Sequence, residues 1–414
     1  MDNNLGYKYR LTKDGDEMTY TWILDVLVGV GRYFLNPLVY IVFLFSFILG
    51  YRRVKRERKD FNIRIFHAFI GWRELIWPSI VTGLVISVIT LGLGLLLPYG
   101  FTVLTGAISV LFLCLLRPRL LSPAYVLGFA ILVSLFLPMV DVNQPIFVQW
   151  LEDIGNTSFL VMAIIMSLLL VAEGLLILKR GSNLTTPRLK KSKRGKLVGI
   201  HETQKLWMAP VFFLIPGDAI TSIWEWWPVI ATSNQSYTVM LVPFGIGFYQ
   251  QIQSSLPKMA IQATGRRVLG LSMIVLTLTV AAYWYPILAV GAAVVALIGR
   301  EWITIRQRSA DEDQVSFFAN RDTGMVILGV IPGSPADRMS LQIGEVVTKV
   351  NGQVVRSEKE FYEALQVNRA FCKLEVLDYN GEVRFANRSL YDGEHHELGL
   401  LFVHDDNQWT TEAV

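Results

Sequence analysis

Pro332-Gly333-Ser334-Pro335-Ala336-Asp337 opens the stretch that decides the fold of the C-terminal region. Pro-Gly is a strong turn signal. Ser334 stands where a helix N-cap is needed, Pro335 suits the first helical position, and Asp337 meets the positive end of the helix dipole. The short helix stops at Gly344. Glu345 to Val350 then reads as a strand, Asn351-Gly352 as a two-residue hairpin turn, and Gln353 to Val355 as the return. Upstream, the run Val326 to Val330, introduced by Gly324, supplies an earlier strand. Downstream, Ser357-Glu358-Lys359-Glu360 has the spacing of a capping box, and Phe361 and Leu365 share one face of the helix it opens. Cys372, Leu374 and Val376 alternate, Asn380-Gly381 turns the chain, and Val383 and Phe385 continue the sheet. Two helices and five or six strands make a small α+β domain with a barrel-like sheet, expected over 313–405.

The rest of the chain belongs to a different solvent. Of 414 residues, 52% are hydrophobic and 17% charged, whereas an ordinary soluble domain carries about 25% charged residues. The mean hydropathy is +0.42, and the apolar excess ends abruptly near Gly299. A transmembrane helix takes about 20 apolar residues, with about 17 tolerated. On that measure the candidates are 33–50, 79–97, 101–116, 123–140, 158–178, 206–223, 237–253, 268–285 and a short 286–299. The expected architecture is a polytopic α-helical membrane domain of six to nine spans (33–300), followed by the small α+β domain. An N-terminal cytoplasmic or interfacial segment (1–32), a juxtamembrane linker (301–312) and a tail (406–414) complete it.

Basic residues mark one side of the spans. Arg52 to Lys59, Arg117 to Arg119, Lys179 to Lys196, Lys258 to Arg267 and Arg300 to Arg308 hold the Lys and Arg, while the loops at 98–100, 141–156 and 224–236 hold none. By the positive-inside rule the C-terminal domain is expected in the cytoplasm of a multi-pass cell-membrane protein. A formal net charge of +4 is too small to imply nucleic acid. Cys114 and Cys372 suggest no disulfide framework, and the polar first 18 residues do not read as a cleavable signal peptide.

Five polar features stand out within the apolar half. Segment 22–31, with Asp25, is expected to lie in the interface as an amphipathic helix, and 61–77 to lie on the surface likewise. Glu173 is expected to reach back to the cytoplasmic interface. Asp218 follows Pro216-Gly217 inside a candidate span, so either a broken helix and a carboxylate coincide, as in ion-coupled transporters, or Asp218 pairs with Gln250, Gln251 or Gln253 of the next span, or the span ends there. The basic run Lys190 to Lys196 reads equally as a topology anchor or as a contact for anionic membrane lipid.

Catalytic constellations do not assemble. A zinc protease needs two His one helical turn apart with a Glu, and neither His201-Glu202-Thr203-Gln204-Lys205 nor His395-His396-Glu397-Leu398 provides that spacing. Neither a nucleophile elbow, a P-loop nor a dinucleotide fingerprint is found, so neither an enzyme nor a cofactor or metal site is expected.

The tail elements, with Pro332 to Ala336, Leu341 to Val347 and Val350-Asn351-Gly352 at matching spacing, resemble a PDZ domain of the bacterial type. The resemblance implies that a partner's C-terminus adds as a strand beside the second helix, Glu358 to Gln366, with Glu358, Phe361, Tyr362 and Leu365 facing it. Backbone N–H groups of a hydrophobic-Gly-hydrophobic loop would take the carboxylate. Leu398-Gly399-Leu400-Leu401-Phe402 has that pattern in a permuted position; Val315-Ser316-Phe317-Phe318 has the usual position without the glycine.

The whole architecture resembles the MinJ-type family of cell-division topology determinants. Its most specific segments are Leu35-Asn36-Pro37, Phe371 to Val376 and His395 to Phe402. That resemblance implies a non-enzymatic adaptor at septa and poles. It would link a DivIVA-like scaffold to the ATPase MinD, which carries the division inhibitor MinC, and it would meet other division proteins. Two other classes remain open: a transporter or channel with a regulatory PDZ tail, resting on Asp218, and a quality-control subunit presenting substrates to a separate protease.

Overall fold

The computed structural model describes residues 23–137, 145–155, 157–192, 195–220, 227, 236–319, 323–368, 370–391 and 398–403. Its membrane half begins with helix α1 (23–35). Asn36 Oδ1 then accepts from the Leu38 N–H at 3.0 Å and Pro37 takes the first helical position, starting α2 (Pro37–Phe61). There follow α3 (Ile70–Leu93), α4 (Tyr99–Cys114), a 3-10 turn (Pro118–Leu121), α5 (Pro123–Ser134), α6 (Pro145–Gly155) and α7 (Phe159–Arg180). The chain next builds an antiparallel sheet of β1 (Thr186–Lys191), β2 (Leu197–Ile220) and β3 (Tyr237–Ile252), then α8 (Pro257–Ala281) and α9 (Ile287–Asp313). Among the described residues, α2, α3, α7, α8 and α9 are long and apolar enough to cross a membrane; α4 and α5 are shorter apolar helices.

Hydropathy misassigned two segments. Residues 206–220 and 237–252 of these two segments belong to a β-hairpin, paired from His201↔Ile252 to Pro216↔Tyr237, a ladder about 50 Å long at about 3.3 Å per residue. Trp207, Val211, Phe213, Phe244, Ile246 and Phe248 are buried in one core with residues of α7 and α8. Where both faces of a strand meet protein, its apolar residues run on without the alternation that would betray it. Pro216-Gly217-Asp218 lies on β2, so no helix breaks there; the Asp218 side chain is outside the described residues.

A hairpin inside a helical bundle has two strand edges whose polar backbone must find partners. On the β2 edge, Ser79 Oγ of α3 accepts from the Met208 N–H at 2.8 Å, Ser87 Oγ accepts from Phe212 N–H at 2.9 Å, and Leu95 O accepts from Leu214 N–H at 3.2 Å. Position 210, on the same edge, is proline and has no N–H to satisfy. Gly83 permits this approach, since a Cβ there would stand 2.2 Å from the Pro210 carbonyl oxygen. On the β3 edge, Asp25 Oδ2 accepts from Val239 N–H at 2.7 Å. Pro243, directly opposite Pro210, again removes a donor.

Asp25 thus has a role the expectation for 22–31 did not include: its carboxylate caps the β3 edge. Residues 61–77 are no separate surface helix, but the end of α2, a connection and the first turns of α3. Glu173 does not reach the interface; it is buried, with Arg300 Nε at 3.1 Å and Nη2 at 3.0 Å on one oxygen and Ser122 Oγ donating to the other. This pair joins α7, α9 and the start of α5.

The tail contains β4 (Met325–Val326), β5 (Gly329–Val330), α10 (Pro335–Arg338), β6 (Val346–Val350), β7 (Gln353–Val354), α11 (Glu358–Gln366), β8 (Phe371–Leu377), β9 (Val383–Ser389) and β10 (Leu400–Leu401). One sheet runs β4-β6-β8-β9 with β7 beside β6, and β10 pairs with β5. Ser334 Oγ accepts from Asp337 N–H and Ser357 Oγ from Glu360 N–H, both at 3.3 Å, and Asn351 and Gly352 take the positive φ values of a tight hairpin.

The tail is docked on the bundle. Helix α9 runs unbroken through 301–312, and Asp311 accepts from the N–H groups of Gln253 and Ser254 beyond β3. Gly199 N–H donates to Phe318 O at 2.9 Å, and His201 Nε2 lies 2.9 Å from Leu328 O. Phe66 of the bundle shares an apolar layer with Phe318, Leu328, Val346, Leu401 and Val403. Burial pulls the His201 imidazole down to about 4.

Two outcomes are expected. Gly83→Ala should lower the thermal midpoint of the detergent-solubilised protein sharply, because the new methyl meets backbone, whereas Gly92→Ala in the same helix has open space and should be neutral or stabilising. The second concerns pH. An undocked His201 takes up a proton near pH 6.5 and the docked one only near 4, so docking is at full strength above that window and weakens as pH falls through it. Corrected amide exchange at Gly199 should accelerate from pH 7 to pH 5, and His201→Phe should flatten that response.

Candidate functional site

The anticipated groove segment Leu398 to Phe402 returns from the end of the tail to its beginning. Leu398 O accepts from Ala336 N–H at 3.0 Å, Gly399 O from Ile331 N–H at 2.9 Å, and Leu401 O from Leu328 N–H at 2.8 Å. These bonds seat Leu398 to Phe402 along β5 and the start of α10. Gly399 has φ +85°, and a Cβ there would stand 2.2 Å from the Ser334 Cβ. Glycine is required on both counts. Among the described residues β10 has one strand neighbour, β5.

Helix α11 forms the facing wall. Phe361, Ala364 and Leu365 point into the domain core, and the Phe361 and Phe402 rings meet at 5.2 Å between centroids. Leu398, Leu400 and Phe402 belong to that same core, so with Phe361 and Leu365 they form the floor of any groove between β10 and α11. Tyr362 and Glu358 are half-buried on the same helix. Leu401 turns the other way, into the layer against the membrane half. One strand therefore faces the domain core and the docking interface with alternate side chains.

The alternative segment Val315 to Phe318 is held elsewhere. Phe317 N–H donates to Gln253 O at 2.8 Å, and Phe318 lies against Gly199, so both anchor the tail to the bundle. His395 and His396 lie outside the described residues. In the basic run, Lys190 and Lys191 sit on β1, and 193–194 are outside the described residues. Cys372 is buried in the domain core, and burial pushes its thiol up to about 12, away from thiolate chemistry.

A second polar centre had no signal along the sequence. Glu202 of β2 receives Arg56 Nη2 at 2.9 Å and Arg188 Nη1 of β1, and Asp60 lies 4.0 Å from Arg188 Nε. These residues are scattered over α2 and two strands, and only the folded arrangement makes them neighbours. They brace the same end of the bundle on which the tail is docked.

Comparison with known proteins agrees with both halves. Residues 326–377 match the PDZ domain family. The cell division topological determinant MinJ of Bacillus subtilis (strain 168) is 36% identical over 397 residues, covering 96% of this chain and 99% of that protein. A probable cell division topological determinant MinJ of Lacticaseibacillus paracasei is 27% identical over 258 residues, 59% of this chain and 66% of that protein. No solved structure matches the chain. A likeness that runs through membrane helices, hairpin and PDZ fold alike covers the whole architecture, and the chain belongs to the MinJ family of cell division topological determinants.

Proposed function

We propose that the protein is a non-enzymatic membrane adaptor in division-site selection. It links a polar or septal DivIVA-like scaffold to MinD, and through MinD to the inhibitor MinC. The observation that carries this reading is a PDZ fold docked on an apolar helical bundle, in a chain similar over nearly its whole length to a division topology determinant. The membrane half confines the adaptor to two dimensions, which raises its effective concentration toward partners already at the membrane. Basic helix ends put the PDZ fold in the cytoplasm by the positive-inside rule, and the protein is enriched at septa and poles.

The groove is the docking surface in this reading. A partner's C-terminal segment pairs along the outer edge of β10, its carboxylate takes N–H groups around Leu398-Gly399-Leu400, and its side chains rest between β10 and Glu358, Phe361, Tyr362 and Leu365 of α11. No transport role is assigned to Asp218, because the broken helix that suggested one is a strand.

A functional fluorescent fusion should concentrate at septa and poles, and its deletion should yield minicells or filaments; a uniform signal around the cell would overturn the adaptor reading. Gly399→Val addresses the groove separately, because both φ and the Ser334 contact exclude a branched side chain. If the groove holds a partner, this variant should remain in the membrane yet lose its septal enrichment. Full enrichment of a stably inserted Gly399→Val protein would retire the groove and leave the adaptor standing.

A further inference from the structure

The PDZ sheet ends on an open strand. Just outside β9, the Asp378 N–H donates to Glu382 O at 3.0 Å and the Leu390 N–H to Ala370 O at 2.9 Å, both in the register that pairs β8 with β9. Antiparallel ladders alternate bonded and unbonded pairs, so Arg384, Ala386 and Arg388 turn their backbone groups inward to β8. Val383, Phe385, Asn387 and Ser389 turn theirs outward, and among the described residues no strand lies beyond β9. Neither a proline nor a bulge blunts this edge. A row of unpaired N–H and C=O groups is a template for another strand.

The side chains select which strand fits. Glu382 and Arg388 stand at the two ends of β9 on one face of the sheet, and among the described residues neither has an ionic partner, whereas Arg384 is committed to Glu345. Let a second β9 pair antiparallel about a two-fold axis at Phe385. Glu382 of each copy then stands opposite Arg388 of the other, Phe385 meets its own counterpart, and Val383 stands opposite Asn387. Phe385 is 59% exposed in the single chain, and cross-strand aromatic and opposite-charge pairs both favour pairing. Neighbouring registers lose these contacts. An axis at Ala386 sets Arg384 opposite Arg388 twice, one at Arg384 sets that residue against itself, and one at Asn387 leaves both charges unmatched.

The orientation of the domain agrees. Val383 lies opposite Leu377, and Leu377 opposite Val346. Leu377 and Val346 belong to the apolar layer against the bundle, so the sheet face that carries Val383 and Phe385 is the face that docks. A two-fold axis relating antiparallel neighbours stands perpendicular to their sheet, so both copies turn this face to the same side. The two bundles then enter one membrane in the same direction, where confinement to two dimensions raises their effective concentration. We propose that the protein forms a symmetric dimer with a second copy of itself through β9, in the register centred on Phe385. Strand β10 belongs to another sheet, so each copy keeps its own groove and the dimer stands whether or not that groove holds a partner.

The test uses the full-length protein carrying Cys114→Ser, reconstituted in vesicles of phosphatidylglycerol and phosphatidylcholine and treated with a thiol oxidant. Phe385→Cys should give a disulfide-linked dimer, because the axis puts that residue opposite itself at a spacing a disulfide can bridge. Asn387→Cys should not, since its two copies are offset by about 13 Å along the strands. Equal linkage at both positions, or linkage at neither, overturns the proposal. Energy transfer between donor- and acceptor-labelled full-length chains in the same vesicles gives a second reading. Glu382→Arg or Arg388→Glu alone sets like charges across the strands and should weaken association roughly tenfold, and the double variant should restore it. Association that ignores both single reversals, or that stays lost in a double variant whose thermal midpoint equals that of the unsubstituted protein, overturns the dimer. A Phe385→Cys thiol that stays unlinked and is shielded from an aqueous reagent only when vesicles are present gives this face to the lipid surface and overturns it as well.

Discussion

Everything in the membrane half depends on satisfying the backbone along two strand edges. An apolar medium offers no water to an unpaired N–H, which is why open sheet edges do not face lipid. Here the edges are closed by unlike means. Serine hydroxyls and a main-chain carbonyl take donors along β2, an aspartate takes one on β3, and paired prolines at 210 and 243 remove two donors altogether. Pro is ordinarily confined to strand edges for the same reason it is useful here. The residues around these contacts then follow: Gly83 because the helix must touch the strand, and Ser79 and Ser87 because helix α3 must offer acceptors at the right intervals.

The same economy governs charge. Glu173 and Arg300 are both buried, and each would be costly alone; paired, and with Ser122 on the second carboxylate oxygen, they hold three helices in one arrangement. At the basic end, Glu202 gathers Arg56 and Arg188 beneath the surface that receives the PDZ fold. Docking thus rests on a braced platform, and it consumes one face of β10 while the domain core takes the other. A helix continuous from the bundle into the tail, α9, removes the slack that a loop would introduce at this junction.

Local chemistry made the tail readable. The caps at Ser334 and Ser357, the Asn351-Gly352 turn and the alternation in β8 each depend on residues a few positions apart, so they survive translation from sequence to structure unchanged. Long apolar helices such as α7 were readable as spans for a similar reason, since a membrane-length apolar run is a sum over neighbouring residues. The hairpin was not. Its apolar residues match a transmembrane window, and what distinguishes it from a helix is the ladder between β2 and β3, together with partners for its outer N–H groups more than a hundred residues away in α3. Asp25 and Glu173 looked like interfacial groups for lack of any visible partner, and each has one that lies far along the chain.

By itself, then, the sequence determined which half is apolar enough for lipid, where the short-range elements of the PDZ fold begin and end, and that basic residues gather in blocks between the apolar runs. Those properties are sums over neighbours or fixed spacings. Tertiary structure alone decided that two of the apolar segments are strands, that buried carboxylates are paired, and that Leu398 to Phe402 closes onto β5. Each of these is settled by who satisfies a polar group at long range, and a partner's position is information that no single stretch of chain contains.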